Sequence, residues 1–369
     1  MKLVRGTGDP TRLKTAVGAV LDPELGLSLG DLGMVKRVTP HRSGRVDVEV
    51  LLTSAECPLR QQLTTDVTRA VHSVAGDVAV DVELSVMSER QRQDLGAVFK
   101  ARRKSVGVPS STTVYAVASG KGGVGKSSVA ANLAVSLARA GKAVGLLDAD
   151  VWGYSVPQLF GVTTSPIALY ETMLPVQAHG VRLMSLGFLV DPGTPIIWRG
   201  PMLHKALTQF VNDVHWGDID VLLVDLPPGT GDVTLSVLEL LPESSLLVVT
   251  TPQPAALTVA RRVGVMAREG RMPISGVIEN MTALVCPTCG DHTPVFGVGG
   301  GEQLAQDLAA PLLGRIPLDI ALRDAGDRGI PVVAGAPTSA SARAVGAIAA
   351  KLRPVRRSLV GRHLSLTPV

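Results

Sequence analysis

The sequence predicts a doubly wound, mostly parallel α/β domain over residues 113–369, preceded by a small α+β domain over residues 1–87 and a linker over 88–112. Three observations carry that expectation. From Thr113 onward, short apolar runs alternate with helix-length stretches, the rhythm of strand–helix–strand crossovers. Several of those runs are continuously apolar, as strands buried on both faces must be. Before residue 88 the pattern is one of strict alternation, in Arg45–Leu52 (R-V-D-V-E-V-L-L) and Ala79–Val86 (A-V-D-V-E-L-S-V), which suits strands with one wet face.

The N-terminal unit reads as one sheet and two helices. Helical spacing covers Thr11–Leu21 and should break at Asp22-Pro23-Glu24. A strand follows near Met34–Val38, and Leu63, Val67, Val71 and Val74 mark a second helix over residues 59–74. The linker is rich in charge, then in Ser and Thr, with Gly107 and Pro109, and is expected to be helical or extended. Beyond it, strands are predicted at Val114–Ala118, Val144–Asp148, Arg182–Ser185, Val221–Asp225, Ser245–Thr250 and Ile274–Asn280, with a helix opening near Ser127. Met281–Val285 reads as loop. Ligands of such sheets bind at the carboxyl ends of the strands, where the loop after Ala118, Asp148, Asp225 and Asn280 all stand.

Composition narrows the function. Of 369 residues 46% are hydrophobic but only 3% aromatic, so Val, Leu, Ala and Ile must fill the core, and stacking surfaces for nucleic acid are not expected. The net charge of +4 is mild, and its basic clusters (Lys100–Lys104 and residues 351–362) read as a solvated linker and terminus. Three cysteines argue against a disulfide framework and for a reducing compartment. With no apolar run of membrane length and no secretory leader pattern, the expectation is a cytoplasmic protein with neither membrane nor nucleic acid as partner.

Residues 118–128 read A-S-G-K-G-G-V-G-K-S-S, a phosphate-loop pattern between a strand and a helix. Gly120, Gly122, Gly123, Val124 and Gly125 let backbone N–H groups turn inward on an anion, and the helix beginning at Ser127 and Ser128 adds its partial positive charge. Lys126 should reach the outer phosphates of ATP and the Ser127 hydroxyl should ligate Mg²⁺. Val221–Asp225 is an apolar strand ending in an acid, whose carboxylate would hold the same Mg²⁺; one Asp and one Ser are a sufficient protein share for an ion that keeps its waters. In Asp148-Ala149-Asp150 the second acid fits orientation of the attacking water, the first support of the metal shell or of Lys126. Lys121 is more than an ordinary phosphate loop needs. On the loop's rim it can point away from its own nucleotide, into that of a facing subunit, where it would neutralise charge built up in phosphoryl transfer; the plain alternative is a solvated lysine.

Cys286-Pro-Thr-Cys289-Gly places two thiolates to bind one metal as half of a tetrahedral site. A zinc site joined by His292, a redox dithiol, and an iron–sulfur cluster shared across a two-fold axis all remain open on that pattern.

G-K-G-G-V-G-K-S resembles the deviant Walker A loop of the signature-lysine ATPases, which include the nitrogenase iron protein, the septum-positioning and plasmid-partitioning ATPases and the Mrp/ApbC iron–sulfur carriers. G-V-I-E-N-M before C-P-x-C-G and F-G-x-G-G-G after it are similar to the Mrp/ApbC group in particular, as are D-A-D-V-W-G-Y-S-V-P, W-R-G-P-M-L-H-K-A-L, D-L-P-P-G-T-G-D-V, T-T-P-Q-P-A-A-L and G-R-I-P-L-D. The resemblance covers most of residues 113–335. It implies a slow ATPase serving a carrier role: a homodimer with Lys121 acting in trans, a 4Fe–4S cluster bridging the Cys286 and Cys289 pairs of two subunits, Asn280 on adenine, and apo iron–sulfur clients and cluster scaffold proteins as partners. Thr282 stands where serine is common, and Tyr154 where proline is common.

D-P-E-L-G-L-S-L-G-D-L-G-M-V and L-T-S-A-E-C-P-L-R resemble the small iron–sulfur assembly domain often fused to these carriers. Asp31 lies in the first motif and Cys57 in the second, with Glu56 where glycine is usual. Cys57 reads equally as a functional position, either a transient cluster contact or a docking site for client proteins, and as a half-buried thiol at a helix start. Two readings compete with the carrier: a partitioning or positioning switch, which leaves the cysteine pair unexplained, and a zinc-clamped nucleotide-binding regulator.

Overall fold

The computed structural model describes residues 9–23, 25–53, 59–102, 106–150, 153–169, 172–189, 200–286 and 288–353. Glu56 and Cys57, Trp152 of the D-A-D-V-W stretch, Trp198 and Arg199, and the basic tail after Arg353 lie outside the described residues.

A three-stranded sheet organises the N-terminal unit. Helix α1 (Pro10–Gly18) opens on Asp9, whose carboxylate accepts the Thr11 N–H at 2.9 Å, with Pro10 preset for helical φ. It stops short of the predicted Leu21 because Gly18 is taken up by another segment: the Gly30 N–H donates to its carbonyl at 2.8 Å. Strands β1 (Val35–Pro40) and β2 (Arg45–Leu52) pair antiparallel. Helix α2 (Arg60–Ala75) then crosses over so that β3 (Ala79–Val86) lies parallel to β2. The helical face of Leu63, Val67 and Val71 is buried on Val46, Val48 and Val50, the inward set of β2. Of the predicted linker, α3 (Glu89–Arg102) is helical.

The rest of the chain winds around a nine-stranded sheet. In chain order it runs β4 (Thr113–Ser119), α4 (Lys126–Arg139), β5 (Val144–Asp148), α5 (Val156–Leu159), a small hairpin of β6 (Ile167–Leu169) and β7 (Thr172–Leu174), β8 (Val176–Ala178), β9 (Val181–Ser185), α6 (Gly200–Asn212), β10 (Val221–Asp225) and α7 (Asp232–Leu240). There follow β11 (Ser245–Thr250), α8 (Pro254–Glu269), β12 (Ile274–Val285), β13 (His292–Thr293), α9 (Gly300–Asp307), β14 (Leu312–Leu318), α10 (Ile320–Asp327), α11 (Val332–Gly335) and α12 (Ala340–Ala349). The strand order is β13-β12-β11-β4-β10-β5-β9-β8, with β14 also on β12; only β8 and β13 pair antiparallel. Central β4 shows why its sequence is apolar throughout. Val114, Ala116 and Ala118 enter one buried cluster, Tyr115 and Val117 the cluster on the opposite face. From β4 the chain passes to β5 on one side and later to β11 on the other, which opens a crevice at its carboxyl end, where the phosphate loop sits.

Met281–Val285, expected to be loop, continues β12, pairing through Leu284 and Val285 with Thr293 and His292 and through Leu284 with Leu318 of β14. Among the described residues no helix is long and apolar enough to cross a membrane.

Candidate nucleotide site and cysteine hairpin

The phosphate loop walls a cavity of about 640 Å³ that includes Lys121 through Ser128, Asp150, Pro227 and Pro228. Gly125 caps α4 with φ 81, a left-handed conformation that leaves the first N–H groups of the helix pointing into the opening. A second cavity of about 370 Å³ adjoins it through Gly125, Ser128 and Ser155, and is lined by Asn280, Pro317, Leu318 and Leu322. Asn280 is buried; its amide donates to the Val124 carbonyl at 2.9 Å, while its Oδ1 has no hydrogen-bond partner among the described residues. A polar phosphate cradle beside a narrower, more apolar slot with one unused acceptor has the outline of a nucleotide site.

Gly120 has a different reason to be glycine. A Cβ there would lie 2.3 Å from the Ala260 backbone nitrogen in α8, with no flexible atom to give way. Gly120→Ala is expected to destabilise the fold by about 3 kcal/mol or more, read as a lowered urea midpoint with or without nucleotide.

The acidic residues divide into two roles. Lys126, 6% exposed, lies between Asp225 at 2.7 Å and Asp150 at 3.7 Å. Asp225 is completely buried at the end of β10; burial pushes its carboxyl upward, the Lys126 ammonium opposes this, and its Oδ2 has no hydrogen-bond partner among the described residues. Asp148 lies below the cavity and not in its wall. Its carboxylate accepts the Asp150 N–H at 3.1 Å, the Val156 N–H at 3.3 Å and the Ser185 hydroxyl at 3.0 Å. It thus ties together the acidic loop, α5 and the end of β9, and its own carboxyl is raised first by burial and then by the charge of Asp225. Asp150, which does face the cavity, is held in part by Asp148 through its backbone.

Lys121 lines the same opening, half-buried, and its ammonium donates to Gln253 Oε1 at 3.1 Å. Gln253 is the N-cap residue of α8. No local pattern around Lys121 announces this partner.

The cysteines sit at the turn between β12 and β13. The Cys286 N–H donates to the Asp291 carbonyl, and the Gly290 N–H to the Cys286 carbonyl, both at 2.9 Å. Cys286 is half-buried and Cys289 exposed. The backbone N–H groups of Cys289 and Thr288, followed by the Cys289 thiol, lower the Cys286 thiol to about 7. Its thiolate therefore forms as pH rises through about 7, well below an ordinary thiol. Alkylation of metal-free protein by iodoacetamide should reach half its maximal rate at Cys286 near that pH; a midpoint in the ordinary thiol range would contradict the geometry. Among the described residues no third His, Cys, Asp or Glu joins the pair as a metal-holding group, so the zinc reading, in which His292 on β13 could add a ligand, finds no such group.

Comparison with known proteins accounts for both halves of the chain. Residues 110–353 match the family described as NUBPL iron-transfer P-loop NTPase, and residues 11–83 match the iron-sulfur cluster assembly protein family. The chain is 48% identical over 367 residues to the iron-sulfur cluster carrier protein of Mycobacterium tuberculosis, covering 96% of each. It is 41% identical over 344 residues to that of Synechocystis, covering 92% of this chain and 95% of the relative. Among solved structures, a nucleotide-binding protein from Archaeoglobus fulgidus in complex with ADP is 37% identical, with a TM-score of 0.53 over 59% of this chain and 87% of that one. With the phosphate loop, the buried acids and the cysteine hairpin on one sheet, the chain belongs to the iron–sulfur cluster carrier family of P-loop NTPases.

Proposed function

We propose that this chain binds ATP with Mg²⁺ above the phosphate loop, hydrolyses it slowly, and as a homodimer carries a 4Fe–4S cluster between two Cys286–Cys289 pairs. The cluster is cargo, taken from scaffold proteins and delivered to apo iron–sulfur clients in a reducing, cytoplasmic setting. One observation carries the reading: β12 holds Asn280 at the nucleotide cavity, passes a bulge at Met281 (φ 58), and leads directly into Cys286 six residues on. A nucleotide and the cargo ligands would thus act on one strand, with the bulge at Met281 between them.

The residues present fit the nucleotide and its metal. The free Oδ2 of Asp225 and the neighbouring Ser127 hydroxyl are hard oxygen donors of the kind Mg²⁺ prefers, and the free Oδ1 of Asn280 can accept an exocyclic amine of the base. Mg²⁺, when bound, supplies neutralisation of the phosphate oxygens. The chain's own groups do the rest. Backbone N–H groups of Gly122 to Ser127 cradle the phosphates, and Lys126 turns from Asp225 and Asp150 to the outer phosphate. Asp150, its carboxylate accepting the Gly153 N–H at 3.1 Å, orients the attacking water. Lys121 leaves Gln253 and reaches the phosphates of the facing subunit. Hydrolysis then loosens the contacts that hold the two halves together, and with them the spacing of the cysteine pairs.

Anaerobic reconstitution with ferrous iron and sulfide tests the whole. The expected product is a dimer with about two iron and two sulfide per chain and absorbance near 400 nm. A single-chain particle that takes zinc and rejects iron would overturn the reading. The partitioning or positioning switch has two findings against it, the cysteine hairpin and membership of the carrier family.

A further inference from the structure

Helix α6 connects the nucleotide cavity to the N-terminal unit. Its first residue, Gly200, lines the cavity beside the phosphate loop. Thirteen residues later, about 20 Å away, its far end is fastened on two sides. On one side the linker is bound to it: the Gly107 N–H donates to the Val214 carbonyl at 3.0 Å and the Val108 N–H to the Val211 carbonyl at 2.9 Å. On the other side lies the β6–β7 hairpin, where the Met173 N–H donates to the Asp213 carbonyl and the Met173 carbonyl accepts the His215 N–H, both at 2.9 Å.

The hairpin divides between two cores: Met173 packs on the cluster that includes Phe210 and Val214. Leu169 and Leu174 are 1% and 2% exposed, and they belong to the buried cluster of the N-terminal unit, with the inward residues of β2 and α2. The segment that carries the hairpin is also anchored at both ends to the acidic loop, through the hydrogen bonds of Val156 and Ser185 to Asp148. Covalent linker and inserted hairpin are therefore held by the same short stretch, residues 211–215, at the end of a rod whose other end faces the cavity. Packed interfaces of this kind shift between discrete arrangements and do not deform smoothly.

We propose that the N-terminal unit reads the nucleotide state of the cavity: α6 transmits occupancy to the β6–β7 hairpin and the linker, and these set how the N-terminal unit is held. The inference rests on the reading that the cavity takes a nucleotide, and it gives the fused unit a role as a responding module. It needs no contact between that unit and the phosphates.

Hydrogen–deuterium exchange on the full chain, with and without Mg²⁺ and a non-hydrolysable ATP analogue, tests it. In the native protein, exchange should slow in residues 120–128 and change by about fivefold or more in residues 60–75 and 172–174. Gly107→Ala is the uncoupling variant: φ there is +84, and the added Cβ would lie 2.7 Å from the Val211 carbonyl oxygen, prising the linker from α6. Its phosphate loop should still gain protection while the response in residues 60–75 is lost. Leu174→Ala, which thins the hairpin's insertion, should weaken the same response and serves if Gly107→Ala does not fold. A protected phosphate loop with no response in residues 60–75 of the native protein, or a response untouched in both variants, overturns the inference alone. A phosphate loop that gains no protection overturns the nucleotide reading and the inference with it.

Discussion

Replacing Cys286 with serine is expected to abolish the absorbance near 400 nm after reconstitution while leaving nucleotide affinity within about twofold of native. The asymmetry follows from position. Cys286 lies beyond the end of β12, and its hairpin is held by backbone hydrogen bonds that serine keeps, from the Cys286 N–H to Asp291 and from the Gly290 N–H to the Cys286 carbonyl. What serine cannot supply is a soft thiolate at neutral pH. Cys286 has a lowered thiol and Cys289 an exposed one; in the proposed symmetric dimer a single substitution would remove two of the four ligands. Isothermal titration with ADP and the iron content of the same preparation provide the two readings. Loss of both would make the cysteines structural and end the carrier reading for this hairpin.

The second large effect is on hydrolysis. Lys121→Ala should lower kcat about 10³-fold, the scale of losing a cation that meets transferring phosphoryl groups, while one-site ATP binding and the thermal midpoint stay close to native. Stability should be little affected because the side chain is half-buried and its ammonium hydrogen-bonds Gln253 at the end of a helix. Mixing decides between cis and trans action. Lys126→Ala is also expected to be inactive, having lost the lysine held between Asp225 and Asp150. A mixed dimer of the two variants owns one site with its own Lys126 and a partner's Lys121, so phosphate release should reappear on mixing. Two inactive variants that stay inactive together would place Lys121 in its own site.

Much of this could be read before any coordinates, for reasons that differ by element. Buried parallel strands announce themselves because both faces are apolar; β4, β5, β10 and β11 were legible within a residue of their ends. The phosphate loop was legible because anion binding demands glycines, lysine and hydroxyl in a fixed local order. Strand continuation through Met281–Val285 was not, since its residues are only half-buried and its pairing comes from β13 and β14, later in the chain. β14 itself contains Gly314 and Pro317, which look like punctuation but sit in a strand that lies at the side of β12. Asp148 reads from sequence as a site carboxylate, yet its partners Val156 and Ser185 make it a buried tie between segments. The Lys121–Gln253 pair spans 132 residues and carries no local signature at all.

The pairing of Lys126 with two acids has a thermodynamic consequence. A metal-free nucleotide that drew the ammonium away would leave Asp225 and Asp150 facing its own negative phosphates, in a site too buried for water to screen them. In the proposed site, cation and nucleotide would therefore be linked ligands, each raising the other's affinity by the same factor. Chelating the divalent ion should weaken ATP binding far more than it would at an exposed basic patch, so that the proposed site would act as a coincidence detector for both.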